Sequence, residues 1–393
     1  MVFMFRRHKY QWLISGLIIL VSFAIGIAIY STQSETRRTG ISSQTIQSQY
    51  QLWKKFYLRG DKTQKFVKTN NGTKDQTLSE AQGYGMLITV MAAQQGFDNQ
   101  RVFNQLTNYY LNHRISSQDS LMAWRQKQQG NKMVSTKAEK TSATDGDLDI
   151  AYALILADKH WGSKGKINYH ILAMRLLDDI YSQEINVKTG LPKLGDWTKG
   201  RNNNVVRTSD LISVYFREFA SYTKDGKWTK TMQNSQYTLQ KLSNQNRTGL
   251  MPDFIMISGN DLNLKAVKAN QVASKYDAQY AFNACRIPWR VAYDYQMNHS
   301  RISKNVVAKI DRFFETQKKI TAIYTLNGRP VENYENEAFC APVVYSAEVL
   351  GNQVLKKRYK KVLINPIVDK DYYPTTIQML TLLAIGNMNN KTR

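Results

Sequence analysis

The segment ATDGDLDIAYALILADKHW, Ala143–Trp161, places three alternating carboxylates, Asp145, Asp147 and Asp149, at the entrance of an apolar run. From Leu148 to His160 the apolar spacing is that of a helix. Alternating aspartates suggest a calcium loop, but an EF-hand needs glycine at its sixth position and glutamate at its twelfth. Ile150 and Leu156 stand there instead, so that form of calcium site is excluded. Asp145 can serve as a helix cap. Three carboxylates crowded before one helix nevertheless repel one another unless partners compensate them, and such clusters are candidates for acid–base chemistry.

Upstream, SEAQGYGM (Ser79–Met86) opens a second apolar helix. Thr77 to Glu80 and Ser79 to Gln82 both have capping-box spacing, which would reduce Glu80 to a partner of the helix dipole. Gly83 and Gly85 do not fit that plain reading. Each weakens a helix by about 1 kcal/mol relative to alanine, and glycines in a first turn suit close approach of another backbone or a ligand.

The same helical periodicity recurs at Gly83–Gln95, Asp210–Tyr222, Ala284–Met297, Val306–Gln317 and Thr375–Asn387. Strand-like stretches are confined to Leu250–Ser258 and Ala322–Leu326. No linker divides the chain beyond Tyr50. The reading is therefore one all-α domain over residues 50–393, large enough that a closed ring of helices would solve its burial problem.

Ahead of it, Arg6, Arg7 and Lys9 precede a stretch from Trp12 to Tyr30 that carries no charge. At 1.5 Å per residue it would span roughly 28 Å, near the thickness of a hydrocarbon core. Residues 1–34 thus read as a cytoplasmic stub and transmembrane signal-anchor, and 35–49 as a polar spacer. The basic flank predicts an extracellular remainder at the cell membrane. Gly26 and Ala28 offer a weak cleavage site, which would make the protein secreted.

The chain has 393 residues, 42% of them apolar, and 54 Lys and Arg against 30 Asp and Glu give a formal charge of +24. Such a charge favours anionic surroundings. The cations are dispersed and no nucleic-acid motif accompanies them, so a nucleic-acid partner is not expected. Cys285 and Cys340 are too few for a disulfide framework or a zinc site; they read as buried thiols, with a single bridge between them as the alternative. No cofactor or metal is expected, and the chain reads as a monomer.

SEAQGYGM and ATDGDLDIAYALILADKHW resemble the acid-bearing segment and the signature of glycoside hydrolase family 8. Leu121–Trp124, Arg207–Asp210, Gly249–Phe254, Asn283–Arg290, Ala338–Pro342 and Tyr372-Tyr373 follow in the family's order. The resemblance implies an (α/α)6 barrel that hydrolyses internal β-1,4 bonds of a β-glucan, xylan or chitosan with inversion. It also implies Glu80 as general acid and Asp145 at the cleft centre. Where many members carry the base aspartate this chain has Asn283, as in an Asn-containing subgroup. That leaves Asp253, Asp261, Asp277 and Asp210 to supply a base, and Asp277 lies nearest the motif. Trp124, Tyr215, Tyr372 and Tyr373 are candidate stacking platforms, and Arg286 and Asp210 candidate cleft residues. A carbohydrate-binding protein on the same barrel is the rival reading, because asparagine cannot take a proton from water and the usual base is absent. A third reading, a polyanion-binding surface protein, rests on charge alone.

Overall fold

The inner helices form because their sequences are apolar on nearly every face, so each is stable only when covered on all sides. The structure, a computed structural model, describes residues 40–259 and 261–390. Among them, six helices make an inner wall: α2 (Ser79–Gln94), α4 (Thr144–Trp161), α6 (Ser213–Thr223), α8 (Ile287–Asn298), α10 (Glu337–Leu350) and α12 (Tyr372–Asn390). Each packs on the next, and α12 packs back on α2, so the ring closes.

An outer layer alternates with it in sequence: α1 (Ser43–Tyr57), α3 (Gln100–Asn112), α5 (Tyr169–Glu184), α7 (Lys227–Asn244), α9 (Arg301–Thr316) and α11 (Gln353–Ile364). These helices bury one stripe. In α9 the buried positions Ser303, Val306, Val307, Ile310 and Phe314 recur at three- and four-residue spacing. Inner α4 has no such stripe, being buried at every position from Thr144 to Ile155. The result is the (α/α)6 barrel that the sequence resemblance implies.

Three details correct the sequence reading. Helix α1 takes in residues 43–49, which composition alone gives to the polar spacer. Ile46 and Gln49 are buried there, and Gln49 bonds the carbonyl of Ile364 and the N–H of Ile367. Short strands are commoner than expected and sit beyond the helix ends. One sheet joins β1 (Gln76–Leu78), β2 (Arg125–Gln129) and β3 (Lys132–Val134), and another joins β4 (Val205–Arg207), β5 (Phe254–Ser258) and β6 (Asn263–Ala266), all antiparallel. Ala322–Leu326 contributes only isolated bridges, through Tyr324 to Tyr280 and to Pro330. The expected membrane helix at Trp12–Tyr30 lies outside the described residues. Among those described, no helix is long and apolar enough to cross a membrane.

Candidate active site

Both carboxylates singled out in the sequence stand at the second position of an inner helix, Glu80 in α2 and Asp145 in α4. Neither expected capping box forms. Leu78 occupies the α2 N-cap without a side-chain bond, Ser79 Oγ has no partner, and the Gln82 amide donates instead to the carbonyls of Lys65 and Leu106. The Glu80 carboxyl is therefore not engaged with its own helix end.

Glycine explains how close the two helices come. A Cβ on Gly146 would lie 2.6 Å from the Ser79 carbonyl carbon and 2.7 Å from the Glu80 nitrogen. One on Gly83 would lie 2.8 Å from Asp149 Cβ and 3.0 Å from the Gly146 carbonyl oxygen. No other residue fits at either position without moving a backbone.

Arg286, fully buried just ahead of α8, ties the cluster together. Its Nη1 donates to Glu80 Oε2 at 3.3 Å, to Asp145 Oδ2 at 3.0 Å and to the Tyr84 hydroxyl at 3.0 Å. Its Nη2 donates to Asn283 Oδ1 at 3.1 Å. Arg207 at the end of β4 reaches the other Asp145 oxygen at 2.9 Å and Asp210 at 3.0 Å. Tyr372, the first residue of α12, donates its hydroxyl to Glu80 Oε1 at 3.3 Å. The Glu80 side chain keeps 18% of its surface open, and Asn283 is half-buried.

These surroundings set the two carboxyls apart. Burial pushes Glu80 up to about 7; Arg286 pulls against this, and the charge of Asp145 adds to the rise. Burial also works against the charge of Asp145, but Arg207 and Arg286 outweigh it and hold this carboxyl below the ordinary range. At neutral pH the site can thus hold one protonated and one ionised carboxyl side by side. That division suits proton donation to a leaving group beside a fixed negative charge.

Comparison with known proteins identifies the architecture. The model of glycosyl hydrolases family 8 matches residues 30–387. The chain belongs to that family. It is 33% identical over 352 residues to a β-glucanase of Niallia circulans, covering 87% of this chain and 84% of that protein. It is 30% identical over 354 residues to endoglucanase A of Acetivibrio thermocellus, covering 88% of this chain and 70% of that one. The solved apo structure of a β-1,3-1,4-glucanase from Paenibacillus sp. X4 superposes with a TM-score of 0.79 at 31% identity, over 87% of this chain and 91% of that one. A cold-adapted family 8 xylanase, at 18% identity and a TM-score of 0.70 over 88% and 91% of the two chains, shares the fold.

Within this family 8 enzyme the remaining sequence candidates fall in different places. Asp277 is not in the cluster. It is fully buried, and its carboxylate accepts the N–H groups of Val272, Ala273 and Ser274, bracing a loop rather than facing the cleft. Asp210 is equally buried, clamped between Arg207 and Arg290, so it supports Arg207 instead of meeting a ligand. Tyr215 is 2% exposed, stacked on Tyr152 with its hydroxyl donating to Asp149, and is a core residue. Tyr373 is half-buried and donates to the Phe282 carbonyl. Trp124 is half-buried against the Arg125 guanidinium, and its carbonyl receives the Ser79 N–H.

Two participants were not singled out from sequence. Arg207 and Tyr84 lie inside the quoted motifs but carry no pattern that marks them. Asp253 precedes β5 and accepts the Asn283 side-chain amide at 2.9 Å. It is one of the four carboxylates that the sequence leaves as candidate bases, although it lies thirty residues from Asn283.

Proposed function

We propose that this enzyme hydrolyses internal bonds of a neutral β-glucan with inversion at the anomeric carbon. The observation that carries the reading is the Glu80–Arg286–Asp145 cluster, in which one guanidinium nitrogen touches two carboxyls that their surroundings push in opposite directions, Glu80 up and Asp145 down. Glu80, which burial keeps protonated up to about pH 7, gives its proton to the glycosidic oxygen. Asp145, ionised, lies where positive charge develops on the sugar ring and stabilises the oxocarbenium-like transition state. Arg286 and Tyr372 aim the acid. Inversion requires a water on the far face of the ring, opposite the acid, with about 6.5–9.5 Å between the groups that handle the two protons.

The names of the relatives, β-glucanase, endoglucanase and β-1,3-1,4-glucanase, support a glucan. A formal charge of +24 disfavours long-range capture of protonated chitosan. The uncharged Trp12–Tyr30 segment behind Arg6, Arg7 and Lys9 supports tethering to the cell membrane with the barrel outside.

Asn283 favours a second reading, a barrel that binds glucan without cleaving it. Reducing-sugar release from mixed-linkage β-glucan, carboxymethylcellulose, xylan and chitosan separates the two. The hydrolytic reading expects release from a glucan by wild type and its loss in Glu80→Gln. Binding without release in wild type, or full activity in Glu80→Gln, would overturn it.

A further inference from the structure

The hydrolytic reading needs a proton acceptor for the attacking water, and the site offers no obvious one. Glu80 is the donor. Asp145 is held by two guanidinium groups, Asp210 and Asp277 are sealed inside the protein, and Asn283 stands where a carboxylate would be convenient. The strongest clue is what Asn283 touches. Its Nδ2 donates to Asp253 Oδ2 at 2.9 Å, and its Oδ1 accepts from Arg286 Nη2 at 3.1 Å. The orientation of the amide is dictated by chemistry, since only its NH2 can meet a carboxylate and only its oxygen a guanidinium.

Asp253 itself is 3% exposed. Its Oδ1 accepts the backbone N–H groups of Ala281, Asn283 and Ala284 at 3.0, 3.1 and 2.7 Å, which locks the carboxylate plane behind the amide. Burial pushes its carboxyl up from the ordinary range, against the pull of those N–H groups. A buried carboxylate is thus fixed one hydrogen bond behind the amide of half-buried Asn283, and the same guanidinium that meets the amide oxygen also meets the acid and Asp145.

We propose that Asp253 takes the proton of the attacking water through Asn283, with the amide passing transiently through its imidic acid form. This inference rests on the hydrolytic reading above. In the step, the water oxygen bonds to the anomeric carbon as the bond to the leaving oxygen breaks. One water proton moves to Asn283 Oδ1 while an Nδ2 proton moves to Asp253 Oδ2. The leaving oxygen receives the proton of Glu80. Glu80 therefore ends ionised, Asp253 protonated and Asn283 an uncharged imidic acid, so charge and protons balance. On product release, Asp253 returns its proton to Asn283 Nδ2. The Oδ1 proton leaves to solvent, and solvent reprotonates Glu80. Arg286 polarises the amide through Oδ1, whose second lone pair is left to accept the water proton. Asp253 acts through Asn283 and does not touch substrate.

The test is a swap. Asn283→Ala should lower kcat on mixed-linkage β-glucan by about 10²–10⁴-fold, the range for removal of a general base. Azide, a nucleophile that needs no base, should restore turnover of Asn283→Ala and yield an α-glycosyl azide. Asp253→Asn should be similarly impaired, and Asn283→Asp/Asp253→Asn should recover at least tenfold, because the carboxylate then faces the water directly with the amide behind it. A merely structural Asp253 would give no such recovery. Should Asp253→Asn fail to fold, Asn283→Ala and its azide response carry the test, since that variant keeps the backbone bonds of Asp253. An active wild type with Asn283→Ala within about threefold of it, or with neither azide nor the swap restoring turnover, would overturn the relay alone. A wild type inactive on every glucan would overturn the hydrolytic reading as well.

Discussion

Replacing Gly146 by alanine tests whether the spacing of α2 and α4 sets the chemistry. The added Cβ would lie 2.5 Å from Ser79 Oγ, 2.6 Å from the Ser79 carbonyl carbon and 2.7 Å from the Glu80 nitrogen. Carbon atoms rest at about 3.5–4.0 Å, so the backbone carrying Glu80 must withdraw by roughly 1 Å. Overpacking costs about 1–3 kcal/mol, and the better helix propensity of alanine returns close to 1 kcal/mol of that. Gly146→Ala should therefore remain folded, with a loss of about 2 kcal/mol or less. Its kcat should suffer far more, because a displacement of about 1 Å in a catalytic group costs on the order of 10²-fold. Initial rates of reducing-sugar release, alongside thermal unfolding, measure both effects. Gly165→Ala, where an added Cβ meets nothing within 4 Å, is the control. Wild-type kcat in Gly146→Ala would refute the claim that this contact positions the acid.

Three further outcomes follow from the same geometry. Because Glu80 must be protonated and burial holds its carboxyl near 7, kcat/KM should fall as pH rises through about 7; a rate still climbing at pH 9 would remove Glu80 as the acid. Behind the site, burial pushes Glu184 up to about 8, with the charges of Asp196 and Asp145 adding to the rise, and burial and the charge of Glu184 push Asp147 up as well. Their folded values exceed the unfolded ones, so stability is full below the ordinary carboxylate range and is lost as pH rises through about 8. Glu184→Gln should flatten the fall in unfolding free energy between about pH 4.5 and 8, and an unchanged slope would show that the pair does not govern it. Asp277→Asn should cost about 1–3 kcal/mol of stability through its lost N–H bonds, yet leave kcat near wild type; a collapse of kcat in folded protein would return Asp277 to the site.

The inner and outer helices were legible because burial on one or all faces leaves its mark on residue spacing. Glu80 and Asp145 were legible because each lies inside a motif that also contains the glycine admitting the neighbouring helix. The strands were not, since three- to five-residue segments beyond helix ends carry too few alternations to stand out. Asp277 falls outside the carboxyl cluster for a physical reason. Asp277 is six residues from Asn283 and points into its own loop, whereas Asp253 is thirty residues away and arrives beneath Asn283 by pairing β5 with β4 and the Asp253 N–H with the Gln279 carbonyl. Nearness in sequence did not predict nearness in space. Tyr215 and Asp210 were likewise drawn toward the cleft by their neighbours in sequence, yet Asp149 and Arg290 hold them in the core.

The central claim, hydrolysis by direct displacement with Glu80 as acid, is tested most directly by the anomer released first. Proton NMR of mixed-linkage β-glucan in the first minutes of digestion resolves the new reducing ends before mutarotation mixes them. The account predicts that the α-anomer appears first and that Glu80→Gln releases neither. A β-anomer appearing first would contradict it.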